Sequence, residues 1–509
     1  MRTLLERIGG FLPAAVALTL PLVFLPSAAD TYILPRTSIV IAAACLSVGV
    51  ALLIPPAGGL GNLRLPLLAA AGAAVVAFVF SVSWPLSLAG SYTRYESLPV
   101  RLAYLGLIAS AVWLLRTTRQ SDAVVACFVF GTAVASLEAI QQAFAHVAFR
   151  PDGNLGNANL LAALIAMAIP LAIDRARQLT LFVGPWAGAI VVMGAGLVVT
   201  TSRSGALGAI AGGLCLVTFA IPRRFSLAVG AASAALVAAA IVFIQVSPLR
   251  ALNDDPASLR LHLWGDGLHL LAARPLTGWG EDTTGLTFGH YLTQDYAGLV
   301  TFDRVHSGPL DIGVTQGLLG LAALGWVLVL VALAAWRRRD EPDVAGLAGA
   351  LVGYSVWVFF NFDWAPVTGM FWLLAGALWS VASPPRSAGS AREGTRIWQP
   401  MLAVVLVLVA IPLAVLPILA DVSYLRGHPA TSVRLDPLQA QYHWALGTVP
   451  ELQRAADLGE TEPGLYVLLG DREAQQDDRA AARRAYERAL QIDPYYTPAR
   501  QRLAALGAG

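Results

Sequence analysis

About thirteen stretches of roughly twenty mainly apolar residues run through the chain, and a stretch of that length at 1.5 Å per residue crosses the hydrocarbon core of a bilayer. They fall near 11–29, 37–54, 66–83, 98–115, 123–145, 158–173, 181–200, 205–221, 226–246, 309–336, 344–360, 366–382 and 400–420. Lipid offers no hydrogen bonds to peptide groups, so such spans must be helices. The sequence therefore predicts an all-α, polytopic membrane protein of about thirteen transmembrane helices. Composition agrees: of 509 residues 57% are hydrophobic and only 13% charged, half the usual charge of a soluble domain, about 25%. The first run, preceded by Arg2 and Arg7, could be read as a cleavable signal peptide, but its apolar region is long for one.

Charge is concentrated at the far end. Residues 421–509 carry 10 Arg and 12 Asp or Glu, which divides the chain into an apolar body, 1–420, and a polar tail, 421–509. All 34 basic residues are Arg, which excludes a P-loop lysine or a Schiff-base lysine and leaves Arg as the permanent cation for an anionic ligand. The net charge of +2 gives no field for nucleic acid. With the N-terminus inside, fifteen Arg fall in cytoplasmic segments, Arg386, Arg392 and Arg396 among them, and five in short outer loops; the excess supports that orientation and places the tail outside a bacterial plasma membrane. Cys45, Cys127 and Cys215 are scattered through apolar runs and suggest neither disulfides nor a zinc site.

One extramembrane segment of the body is long, 247–308, and long loops inside compact domains usually have a function. A helical stretch from Leu259 to Ala273 is expected in it. In the tail, Tyr466, Leu469, Gly470, Ala482, Tyr486, Ala489 and Pro494 stand at the offsets of a 34-residue tetratricopeptide repeat, departing at Glu473. One and a half such units cannot be stable by themselves and should dock on something, as a passive cap or as a module that binds a protein partner.

Four polar groups interrupt the body on one predicted side. Gly156-Asn157-Ala158-Asn159 opens a helix, where Asn either caps the backbone or offers amides to a sugar. Thr200-Thr201-Ser202-Arg203-Ser204-Gly205 opens another, where Arg203 either snorkels to water or joins the helix N-terminus in holding an anion. The loop carries Arg260, Trp264, Arg274 to Gly280 and Asp303-Arg304-Val305-His306-Ser307. A neutral imidazole at His306 could take a proton from a sugar hydroxyl near neutral pH. Asn361-Phe362-Asp363-Trp364 is either a simple turn or part of the same site. No H-x-x-x-H, H-E-x-x-H or Asp-x-Asp spacing favours a metal.

The order of these groups resembles the O-antigen ligase superfamily, polytopic glycosyltransferases that include O-antigen ligases, O-antigen polymerases and protein O-oligosaccharyltransferases. Gly156 to Asn159, Ser202 to Gly205, Arg260-x-x-x-Trp264, Arg274 to Gly280, Asp303 to Ser307 and Gly317-Leu318-Leu319-Gly320 carry the likeness. The resemblance implies a GT-C-like body that moves a glycan from an undecaprenyl-pyrophosphate carrier to an acceptor hydroxyl of a lipid, polysaccharide or protein on the outer face, without metal or other cofactor. It also implies His306 as general base and Arg203, with Arg260 and Arg304, on the pyrophosphate. Asn157, Asn159, Trp279, Ser307 and Asp311 would contact glycan or acceptor. Ser307 stands where the family often has Asn, and Gln316 where Glu is frequent. The rival readings are a transporter of lipid-linked glycan, for which Glu138 is the main intramembrane charge, and a non-catalytic scaffold. The glycosyltransferase reading predicts a cavity between the loop and the helices that contains His306 and Arg203.

Overall fold

The computed structural model describes residues 2–148, 150–179, 183–246, 257–296, 302–382 and 398–507. Part of the expected loop, 247–256 and 297–301, lies outside the described residues, as do Arg386, Arg392 and Arg396 of the charge count. Among the described residues every regular element is helical, and eleven helices are long and apolar enough to cross a membrane. The expected thirteen reduce to eleven because two runs form shorter helices, Leu98–Leu114 with 17 residues and Val344–Phe359 with 16. At 1.5 Å per residue both fall short of the ~30 Å hydrocarbon core. Neither has to match it, because both lie inside the bundle: Leu107, Ile108 and Ala111 are fully buried, and Trp357 is 1% exposed.

Ala158–Gln178 is enclosed by other helices; Leu160 through Ala168 are all buried. A helix apolar on every face belongs at the centre of such a bundle. Beside it, Arg203–Ala220 and Val344–Phe359 approach through glycines. A Cβ on Gly208 would lie 2.5 Å from the Gly353 carbonyl oxygen, and one on Gly212 would lie 2.6 Å from that of Gly349. Two small-x-x-x-small stripes thus let the backbones touch, the usual device where apolar burial between helices has no driving force. The consequence is positional: the start of one helix is held against the end of the other, so Ser204 meets Asn361.

The helix Gly308–Arg337 is broken at Gly317 (φ 68°, ψ −167°). The loop segment 275–280 fills the break: Leu318 N donates to Pro275 O at 2.7 Å, Trp279 N to Val314 O at 2.9 Å and Gly280 N to Thr315 O at 3.0 Å. Two glycine-containing motifs that stand forty residues apart in sequence are therefore each other's partners. The expected helix in the loop is Ala257–Ala273.

The last apolar helix, Trp398–Leu425, leads into six tail helices from Pro429 to Gly507. Pro463–Gln475 and Arg479–Ile492 form a pair. Gly470 admits the Tyr486 ring, since a Cβ there would lie 2.4 Å from it. Glu473, the departure from the repeat pattern, is buried and accepts a hydrogen bond from Gln453 Nε2 at 2.7 Å. The tail sits on the body: Leu86 and Leu286 join Leu452, Leu458 and Leu465 in one apolar cluster. A Cβ on Gly289 would come 2.1 Å from the Ile492 carbonyl oxygen. Asp421 ties the junction, accepting from Asp30 N (2.7 Å), Tyr92 Oη (2.7 Å) and Tyr442 Oη (3.1 Å).

Candidate functional site

At the tail end of the bundle a cavity of about 190 Å³ is lined by Arg94, Asn157, Asn159, Arg260, His306, Trp357, Asn361, Phe362 and Trp364, with Leu160. Three of these amides are placed by helix ends. Asn157 caps Ala158–Gln178, its Oδ1 accepting from Asn159 N at 2.8 Å; its amide NH2 has no partner among the described residues. Asn159 Oδ1 accepts from Ser202 Oγ (2.8 Å) and from Arg150 Nη2 (3.0 Å). Asn361 Nδ2 donates to Ser204 Oγ (3.0 Å) and to Trp357 O (2.8 Å). Asn capping and a sugar-facing amide, two readings that the sequence left open, are thus compatible at Asn157.

Arg203 follows Ser202, whose Oγ caps the helix by accepting from Gly205 N at 3.2 Å. It is half-buried and does not line this cavity, but the serines on either side of it hydrogen-bond to Asn159 and Asn361, which do. Arg260 does line the cavity, and its Nη1 donates to Phe360 O at 2.5 Å. His306 adopts a left-handed conformation (φ 54°). Its ring lies edge-on between Phe302 (5.6 Å) and Phe362 (5.3 Å). Its carbonyl accepts from Trp264 Nε1 at 3.4 Å, the contact behind the Arg260-x-x-x-Trp264 spacing.

The other expected site residues are placed around the cavity rather than in it. Arg304 is 2% exposed and paired with Asp282, whose other oxygen accepts from Ser91 N at 2.6 Å. Trp279 packs under the loop, with Nε1 donating to Leu270 O at 2.9 Å and Arg274 4.3 Å over its ring. Ser307 is buried at the start of Gly308–Arg337 and its carbonyl accepts from Asp311 N at 2.7 Å. Asp311 Oδ1 accepts from Val305 N at 3.0 Å, while Oδ2 is buried without a partner. These residues hold the chain on either side of His306.

Two lining residues gave no signal in the sequence beyond their type. Arg94 forms a two-point pair with Asp303 (2.6 and 3.2 Å) and lies 4.8 Å over Phe362 and 4.7 Å over Trp364. Burial acts to raise the Asp303 carboxyl, but Arg94 and Arg304 outweigh it and hold it below its usual range. Trp357 is the other: its Nε1 is fully buried with no acceptor, and a buried donor without a partner at a cavity wall is suited to a ligand oxygen.

Across the Asn361–Trp364 segment lies a second, largely apolar cavity of about 130 Å³ between Leu98–Leu114, Gly308–Arg337 and Ala365–Ala382. Its polar end is an ion cluster. Arg101 binds Asp363 (2.5 Å), Glu281 (3.1 Å) and Glu96 (3.7 Å). Gln316, which stands where the resembled family frequently has Glu, donates to Glu281 Oε1 at 2.6 Å. Among the described residues no group of three His, Cys, Asp or Glu side chains could hold a metal ion.

No curated protein matches the chain. A family model described as O-antigen ligase matches residues 188–325. That span holds Arg203, Arg260, Trp279, Arg304, His306, Ser307 and Asp311, together with the paired 275–280 and 317–320 segments; Arg94, Asn157, Asn159, Asn361 to Trp364 and the tail lie outside it. Over that part of its length this polytopic membrane chain is similar to the O-antigen ligases.

Proposed function

We propose that the protein is a membrane glycosyltransferase of the O-antigen ligase type, transferring a glycan from undecaprenyl pyrophosphate to a hydroxyl of a lipid, a growing polysaccharide or a protein. One observation carries the reading: a single cavity gathers His306, two arginines and three amides from five separate stretches of chain. His306 takes the proton of the acceptor hydroxyl, the acceptor oxygen forms the new bond to the anomeric carbon, and the bond from that carbon to the pyrophosphate breaks. Arg260 from the cavity wall, with Arg203 from the helix start behind Asn159 and Asn361, neutralises the departing pyrophosphate, worth most in a site poor in water. Arg304 acts through Asp282 and the 303–307 segment. Asn157, Asn159 and the Trp357 N–H serve sugar oxygens, and the apolar cavity beside Arg101 suits the carrier chain. Trp279, Ser307 and Asp311 hold the loop that presents acceptor and base. The chemistry calls for no metal or other cofactor.

In this reading the body is GT-C-like, spans 1–420, and lies in a bacterial plasma membrane with its N-terminus cytoplasmic. The tail, 421–509, lies outside as a tetratricopeptide-like module; the Gly470–Tyr486 helix pairing supports that assignment. The test is transfer of a radiolabelled undecaprenyl-pyrophosphate glycan by purified protein in lipid with EDTA. His306→Ala and Arg203→Ala should each lose at least about 100-fold, the usual scale of a proton-transfer or charge-stabilising group. Product formed at the wild-type rate by both folded variants overturns the assignment.

A further inference from the structure

A cavity of about 390 Å³, separate from those above, lies between Ile33–Leu53, the start of Leu98–Leu114, the last apolar helix and the first tail residues. Its lining is part apolar and part polar. The apolar part includes Leu34, Ile41, Val100, Leu413 and Leu416. The last helix opens here because Ile411–Val415 is a π-turn carrying Pro412, with Pro417 just beyond, and such turns widen a helix locally. The polar part includes Ser38, Tyr95, Arg434 and Asp436.

Two hydroxyls of the polar part are unsatisfied. The hydroxyls of Ser38 and Tyr95, on residues 4% and 6% exposed, have no hydrogen-bond partner. Buried hydroxyls without partners are uncommon, and both of these belong to residues that line the same cavity. Arg434 and Asp436 stand two residues apart in the lining; Asp436 accepts from the Leu438 amide and feels His443, and neither is in a salt bridge among the described residues. Apolar walls, two hydroxyl donors, and one cation and one anion two residues apart are a set of groups that complements a zwitterionic phospholipid.

We propose that this cavity is a binding site for a zwitterionic aminophospholipid. An acyl chain lies among Ile41, Leu413 and Leu416, and the ester carbonyls accept from Ser38 and Tyr95. The phosphate meets Arg434 and the ammonium meets Asp436. The lipid wedges the last membrane helix and the tail against the body. This holds whatever the glycan-binding cavity does.

The experiment uses the full chain in bilayers of equal phosphatidylethanolamine and phosphatidylglycerol, extracted gently and weighed by native mass spectrometry. One phosphatidylethanolamine per chain is expected to remain, enriched at least about tenfold over phosphatidylglycerol, as one charge-assisted contact allows. Arg434→Gln, at an exposed position, should lower retention of both lipids by a similar factor. Asp436→Asn should keep the bound lipid but erase the preference for phosphatidylethanolamine. Retention that mirrors the bilayer, an absence of retained lipid, a wild-type preference for phosphatidylglycerol, or indifference to Arg434→Gln would each overturn the proposal.

Discussion

His306 is held in place by residues that do not line its cavity. Its φ of 54° is a left-handed conformation that non-glycine residues adopt only when their surroundings insist. Arg304 with Asp282, and Asp311 with the Val305 N–H, supply that insistence on its N-terminal side. Arg304 and His306 are near neighbours in sequence, but a charge type in sequence carries no sign of whether it faces a cavity or the scaffold. Trp357 shows the converse. It sits in an apolar run and reads as core, yet it lines the cavity and its buried N–H is unpaired. Trp357→Phe keeps the ring and removes the donor, so we expect unchanged melting and a rise in donor KM or fall in kcat/KM of about tenfold, the worth of one hydrogen bond to a ligand. Transfer kinetics check it, and wild-type values would remove Trp357 from the site.

At the scale of elements, the glycines decide what the site can be. Gly208, Gly212, Gly349 and Gly353 bring Ser204 to Asn361, and Gly317 lets 275–280 enter a helix that would otherwise be continuous. The φ and ψ of Gly317 lie in a region essentially closed to other residues, and a Cβ there would sit 2.2 Å from the Leu276 carbonyl oxygen. Gly317→Ala should therefore cost at least the roughly 1–3 kcal/mol of a strained backbone and lower the thermal midpoint measured in detergent. An unchanged midpoint would mean that the loop segment is not anchored as described. The helix positions themselves follow directly from the apolar runs, since each of the expected spans overlaps an observed helix. Breaks are less legible: Gly317-x-x-Gly320 looks like an ordinary feature of a membrane helix, and only its partner segment distinguishes a kink from a packing stripe.

The whole molecule is a bundle with its tail seated on one end, and the seat contains a buried acid. Glu460 lies beside Gly459, which abuts Leu86, and Thr461, which abuts Gly285. Burial pushes the Glu460 carboxyl up to about 7 from 4.5. Between these values the folded chain keeps a proton that the unfolded chain has lost, so stability falls as pH rises from about 4.5 to about 7. Glu460→Gln keeps the acceptor for the Thr461 and Glu462 amides (2.9 and 3.1 Å) and removes the charge. It should stabilise by about 2–3 kcal/mol at pH 8 and by little at pH 5. Thermal midpoints at the two pH values check this, and equal shifts at both would sink it. The all-helical, membrane-spanning character of the chain, the charged tail and the polar stretches near its helix ends are written in composition and periodicity, because lipid solvation acts on each segment separately. Which polar residues meet is not written there. Arg94 joins the cavity while Arg304 turns away from it, Asn361 proves more than a turn, and the tail rests on Leu86 and Leu286. These outcomes depend on close backbone contacts between segments far apart in the chain, and contact between distant segments leaves no local trace in either of them.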